Sequence, residues 1–290
     1  HHAADGGRDV LHLVTVPVRF SSQFPEASDL VTPTRSRLLG RDPQRPAAAL
    51  GRPITRWYQL VITRRGTSLD AMAFSDRLLD EGAEIWDAQM QHPFVVELAD
   101  GDLDEAAFRH WVKRDYRYLL DYARVFALAG TKADDEETTR RLTRTAHATL
   151  DDELDLHRSF AADYGLSTDE LEAVEKAPTC AAYTDFLVRT AHEGSLAETA
   201  AAVYPCGQGY LDVADHMASL ATEEHRYTPF IEKYTSDEFR ETVAWMRDLV
   251  DRYGEASPGE RDAMRAAFLR SARLEHAFWE MCYTEEEWSV

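Results

Sequence analysis

From Phe74 onward the chain places apolar residues at three- and four-residue steps almost without a break, a spacing that buries one side of a helix and suits no strand. Between Asp104 and Gly130, for example, Phe108, Trp111, Val112, Tyr118, Leu119, Tyr122 and Val125 share such a face. Helix starts are marked by a hydroxyl followed three residues on by a carboxylate, at Ser167 and Glu170, Ser195 and Glu198, and Ser257 and Glu260. Pro258 stands where the first helical residue needs no amide. Gly130, Gly165, Gly194 and Gly254 each follow a periodic run and are read as left-handed closing residues. The spacing predicts helices near 74–91, 104–130, 135–164, 168–176, 179–193, 196–223, 226–233, 237–253 and 258–283, with no strand after residue 72. The fold class is therefore all-α, a helical bundle with its binding site between helices.

The first 71 residues read differently. They hold ten Arg, no Lys, six acidic residues and six of the eleven prolines, and the first Met of the chain is Met72. We expect 1–71 to be an N-terminal extension, disordered or not native, with Met72 as the natural start and 72–290 as the working domain. A Pro/Arg-rich extension with a short strand near Val10–Val18 or Tyr58–Thr63 is the alternative. The formal charge of -20, from 52 acidic and 32 basic residues, makes DNA, RNA and anionic lipid unsuitable partners, because binding a phosphate backbone rests on Lys and Arg. No stretch has the ~18 to 20 apolar residues of a membrane span. Three cysteines make no disulfide scaffold. A soluble, cytoplasmic protein is expected. Four Lys against 28 Arg, on so acidic a chain, further suggest a halophilic-type surface whose repulsion needs salt screening.

Chemistry concentrates at a few positions. In Tyr204-Pro205-Cys206-Gly207-Gln208-Gly209-Tyr210 a proline and two glycines weaken a helix around a thiol, a local conflict that suits either a site or a buried, inert cysteine beside a kink. Asp115, Tyr118 and Tyr122 share one otherwise apolar helix face, so Asp115 is either a structural acceptor or a group that reads a ligand. Glu275, flanked by Phe278 and Trp279, is either an acid held protonated by apolar surroundings or a partner for Arg273. Tyr183 and Tyr210 belong to a pocket or to the core.

Taken together, His92-Pro93-Phe94, Asp115-Tyr116-Arg117-Tyr118-Leu119, Pro178-Thr179 leading to Tyr183, Pro205-Cys206 with Tyr210, and Glu275 followed by Phe278-Trp279 resemble the thiaminase II family, also called TenA. The resemblance covers essentially 74–290 and falls in its cysteine-containing branch. It implies a heme-oxygenase-like helical bundle, a homotetramer, and an aminopyrimidine aminohydrolase of thiamin salvage that uses no cofactor and no metal. By resemblance, Cys206 is the nucleophile, Glu275 the proton donor, Tyr118 a group that tunes the thiol, and Asp115 the reader of the aminopyrimidine edge. Tyr183, Tyr210 and Tyr234 match aromatic pocket positions.

The sequence also departs from that pattern. Gly207-Gln208 stand where many relatives have bulky residues, and Arg114 replaces a common Gln, which leaves the choice among aminomethylpyrimidine, its formyl derivative and thiamin open. Cys180, where relatives often have Ala, is expected to do nothing. A metal oxidase of the same superfamily is the first competing reading, yet residues 72–290 contain no Glu-x-x-His or Asp-x-x-His. Glu153 with His157, and Asp212 with His216, are i, i+4 pairs read as surface pairs. A non-catalytic pyrimidine binder is the second competing reading, one that needs a pocket but neither Cys206 nor Glu275.

Overall fold

Acidic and hydroxyl side chains open most of the long helices in the computed structural model, which describes residues 72–290. Twelve α-helices follow one another among these residues: α1 (Phe74–Glu81), α2 (Ala83–Met90), α3 (Pro93–Ala99), α4 (Glu105–Gly130), α5 (Glu136–Ala148), α6 (Leu154–Asp163), α7 (Thr168–Ala173), α8 (Pro178–Glu193), α9 (Leu196–Leu220), α10 (Thr228–Thr235), α11 (Asp237–Ala256) and α12 (Arg261–Thr284). Asp104 accepts from Ala106 N at 2.9 Å to start α4, and Asp135 from Thr138 N at 2.8 Å to start α5. Ser167 and Ser195 form full capping boxes with Glu170 and Glu198, as the sequence predicts. The expected extension at 1–71, and the possible strands within it, lie outside the described residues.

Several local expectations are corrected. The run 74–91 is two helices joined at Gly82. Helix α3, unforeseen, begins at His92, whose Nδ1 accepts from Phe94 N, with Pro93 in the first turn. The run 135–164 contains a π-turn at Thr149–Glu153 between α5 and α6. Ser257 makes no side-chain cap; a short 3-10 turn at Pro258–Glu260 leads into α12 instead. Of the four glycines read as closing residues only Gly165 has a left-handed conformation, with φ of 71°. Gly130 is still helical, Gly194 is extended at φ -83°, and Gly254 lies inside α11. Gly254 is there for space: a Cβ at this position would stand 2.3 Å from Phe74 Cδ1.

Helix α9 forms the middle of the bundle and packs against α8, α10, α11 and α12. Its N-terminal half is buried nearly all round, with Ala200, Ala201, Ala202, Val203 and Tyr204 shielded from solvent, as expected of a core helix. It runs unbroken through Pro205. Trp86, Trp111 and Trp279 are fully buried around it, and truncating any of them to Ala would cost about 3–5 kcal/mol. Phe94 packs on Trp279 with ring centroids 5.3 Å apart, so the His92-Pro93-Phe94 motif is a cap and anchor for α3. Among the described residues no helix is long and apolar enough to cross a membrane.

Candidate active site

Helices α4, α5, α9, α10 and α11, with the π-turn, line a cavity of about 230 Å³. The helical period of α4 places Asp115, Tyr118 and Tyr122 on its wall, and α9 contributes Cys206, Gly207 and Tyr210. Tyr234 comes from α10 and Met246 from α11. Five of the seven residues singled out in the sequence thus line one space. Glu275 on α12 and Tyr183 on α8 are not lining residues; the Tyr183 ring packs on the lining Tyr118 with centroids 5.1 Å apart.

Cys206 is partly exposed, and that exposure is toward the cavity. Enclosure by protein pushes its thiol well above the ordinary range, with the Glu275 carboxyl adding to the effect, while the hydroxyls of Tyr118 and Tyr122 act in the opposite direction. The Tyr118 hydroxyl is buried and meets no partner at hydrogen-bond geometry, although it is close enough to the sulfur to favour the thiolate. A buried donor left open on a cavity wall is offered to whatever fills that cavity. Tyr122, placed by the sequence on the face of Asp115 and Tyr118 but given no role there, donates to the Val203 carbonyl at 3.3 Å and faces the same sulfur.

Glu275 is buried and carries no ion pair with Arg273 among the described residues; its partner is Tyr183, whose hydroxyl donates to Oε2 at 2.7 Å. Burial raises its pKa to about 8, the Tyr183 bond opposing and the Asp115 charge assisting, so the side chain holds a proton at neutral pH. A protonated carboxyl and a thiol on neighbouring helices supply an acid and a nucleophile.

Asp115 is held from two sides. Tyr210 donates to Oδ1 at 3.5 Å while accepting from Trp111 Nε1 at 3.1 Å. His157 Nε2 lies 2.7 Å from Oδ2. The reading of Glu153 and His157 as a surface pair is overturned: His157 is wholly buried, its Nδ1 donates to the Glu153 carbonyl at 2.8 Å, and the Glu153 carboxylate pairs instead with Lys233 at 3.2 Å. Asp212 likewise leaves His216 aside and accepts from Trp86 Nε1 at 3.1 Å and from Gln208 at 2.9 Å.

The departures resolve into separate roles. Arg114 points away from the cavity, bonding the Glu175 carbonyl, Glu287 and His110. Gln208 bonds Tyr204 and Asp212 and is not a lining residue, whereas Gly207 lines the cavity and leaves room for Met246, whose Sδ would lie 3.0 Å from a Cβ there. Cys180 is fully buried beside the Arg114 carbonyl, its thiol pushed up to about 12 by that burial. Among the described residues no group of three or more His, Cys, Asp or Glu side chains is placed to hold a metal ion.

Known proteins resemble this chain along nearly the whole of the described region. The aminopyrimidine aminohydrolase of Halalkalibacterium halodurans is 38% identical over 221 residues, which cover 75% of this chain and 99% of that protein. A TenA homologue from P. horikoshii superposes with a TM-score of 0.69 at 26% identity, covering 73% of this chain and 99% of its own. A heme oxygenase-like domain of unknown function from Shewanella denitrificans, at 17% identity and a TM-score of 0.59, covers 72% of this chain and 92% of its own, and shows the fold alone. The expected fold class is therefore observed. Residues 79–285 match the TENA/THI-4/PQQC family, and the chain belongs to it.

Proposed function

We propose that the protein is an aminopyrimidine aminohydrolase of thiamin salvage, which converts 4-amino-5-aminomethyl-2-methylpyrimidine to the hydroxymethyl compound and ammonia. The observation that carries this reading is the Cys206 thiol on the cavity wall together with the buried Glu275 carboxyl on the adjoining helix α12, which keeps its proton at neutral pH. The H. halodurans relative, an aminopyrimidine aminohydrolase, supports the substrate class.

In the proposed reaction the Cys206 sulfur adds to a ring carbon while Glu275 delivers its proton to a ring nitrogen. The thiol's proton passes to the amine of the methylene arm. Electrons pushed from the ring then break the carbon–nitrogen bond, ammonia leaves, and Glu275 recovers the ring proton. Water adds its hydroxyl to the methylene carbon and its hydrogen returns to the sulfur as the carbon–sulfur bond breaks. Asp115 accepts from the 4-amino group through Oδ1, Tyr118 offers its open hydroxyl toward thiol and ligand, and Tyr210 and Tyr234 supply flat faces at the cavity wall. Tyr183 acts through Glu275.

The carboxylate and tyrosine lining of the cavity supports a small pyrimidine as ligand, and the room that Gly207 leaves beside Met246 bears on which 5-substituent fits best. We further infer that residues 72–290 carry the whole activity without 1–71, and the family resemblance supports a cytoplasmic homotetramer, which analytical ultracentrifugation would show as a mass near that of four chains. The test of the function is ammonia release by the purified protein from the aminomethylpyrimidine, its formyl derivative and thiamin. Release from at least the first is expected; tight binding without turnover would leave a pyrimidine binder instead.

A further inference from the structure

The most unusual polar arrangement outside the reacting groups is a line of polar groups that runs from partly buried Lys233 and Glu153 to buried His157 and Asp115. It begins at the π-turn Thr149–Glu153, which lines the cavity through Thr149, Asp152 and Glu153. The Glu153 side chain is tied to Lys233 on α10, and its backbone carbonyl takes the Nδ1 proton of His157. A carbonyl can only accept, so Nδ1 is the donor and its proton is fixed. The other ring nitrogen faces Asp115 Oδ2 at 2.7 Å, within a wall made by the rings of Trp111 and Phe160. Burial opposes a charge on this ring, but the bond and charge of Asp115 and the Glu153 carbonyl outweigh it, and the His157 pKa is raised. With Nδ1 donating to the carbonyl and Nε2 at 2.7 Å from Oδ2, a proton bridges the ring and the Asp115 carboxyl, while His157 itself is not among the side chains lining the cavity.

This geometry leaves Asp115 one oxygen for a ligand. Oδ2 is occupied by His157, and Oδ1, which receives Tyr210, is the oxygen left for a ligand in the cavity that Asp115 lines. We propose that His157 is the positioning residue that fixes Asp115 as a hydrogen-bond acceptor, and so sets the preference of the cavity for a ligand edge that donates there. The inference rests on the aminopyrimidine reading for the identity of that edge. Its physical basis is independent of that reading: loss of a hydrogen-bonding imidazole in apolar surroundings favours the neutral form of a carboxyl, and a protonated oxygen donates where an ionised one accepts.

The test compares two ligands and needs no turnover. Binding of 4-amino-5-hydroxymethyl-2-methylpyrimidine and of its 4-methoxy counterpart, in which an acceptor replaces the donor, is measured by calorimetry for wild type, His157→Leu and His157→Gln. The preference of the wild type for the amino compound is expected to shrink by about tenfold or more in His157→Leu, because the acceptor it depends on is lost. His157→Gln, whose amide still donates to Asp115, is expected to restore part of it. Loss of affinity for both compounds by the same factor, with the ratio within about twofold of wild type, would mean that His157 only supports packing, and would overturn the proposal.

Infrared spectra of the unliganded proteins decide the point without any pyrimidine. A protonated-carboxyl band is expected in His157→Leu beyond that of wild type, and is expected to vanish in His157→Leu/Asp115→Asn. Absence of the extra band would equally overturn the proposal. Failure of wild type to bind either compound would count against the aminopyrimidine reading instead, and the infrared comparison would still decide the role of His157.

Discussion

Tyr183 donates a hydrogen bond to Glu275 Oε2 at 2.7 Å, and Ser271 Oγ lies 2.9 Å from the same hydroxyl. Burial raises the carboxyl to about 8, and the Tyr183 bond is the largest effect pulling it back down. Tyr183→Phe is therefore expected to move the alkaline limb of the kcat/KM profile to higher pH. A drop in rate of about tenfold at pH 7 is expected as well, from loss of a hydrogen bond that orients the acid. A limb that moves to lower pH would contradict this assignment.

In the wild-type enzyme, activity is expected to fall as pH rises through about 8, where Glu275 gives up the proton it must donate. Glu275→Gln is expected to lose that limb and at least about 10²-fold in rate, the usual worth of a positioned acid. The same shift has a stability consequence of defined sign. The folded state retains a proton that the unfolded chain loses above about 4.5, so stability falls between about 4.5 and about 8 and is level above. Glu275→Gln should thus melt higher than wild type at pH 9, by an amount on the order of a few kcal/mol, and close to it at pH 4. Melting curves at the two pH values check this.

Tyr118 separates function from stability. Its buried hydroxyl makes no hydrogen bond of good geometry, so Tyr118→Phe removes an unsatisfied polar group and should leave stability unchanged or raise it by about 1 kcal/mol. Activity should drop about 10- to 100-fold, because the hydroxyl that favours the Cys206 thiolate is gone. Denaturant unfolding and steady-state kinetics on one preparation read both effects.

Gly254 predicts a defect of the opposite kind. A methyl group there would collide with the Phe74 ring across the contact between α1 and α11, and Gly254→Ala is expected to destabilise by about 1–3 kcal/mol through overpacking. Because the cavity lies elsewhere, kcat/KM below the melting transition should stay near wild type.

The long helices and the α4 face that lines the cavity were legible in the sequence because their signals are local. A 3.6-residue period puts Asp115, Tyr118 and Tyr122 on one face whatever the tertiary structure, and Ser167 and Ser195 carry their capping partners three residues away. His157 was missed because its partner is 42 residues distant, and the nearer Glu153 offered a false pairing at i+4. The π-turn that hands its carbonyl to His157 has no sequence signature of its own. Gly254 was misread because its reason is the Phe74 ring, not its own backbone conformation. Arg114 and Gln208 drew attention as departures near the site, and only the packing shows that both point elsewhere.

In the proposed reaction Cys206 forms the bond that makes the amine leave. Ammonia release from 4-amino-5-aminomethyl-2-methylpyrimidine by Cys206→Ala, with helicity verified by circular dichroism, tests it most directly. The rate is expected to fall by at least about 10³-fold with the fold intact, as removal of a nucleophile demands. Turnover by Cys206→Ala at a rate near that of wild type would contradict the account.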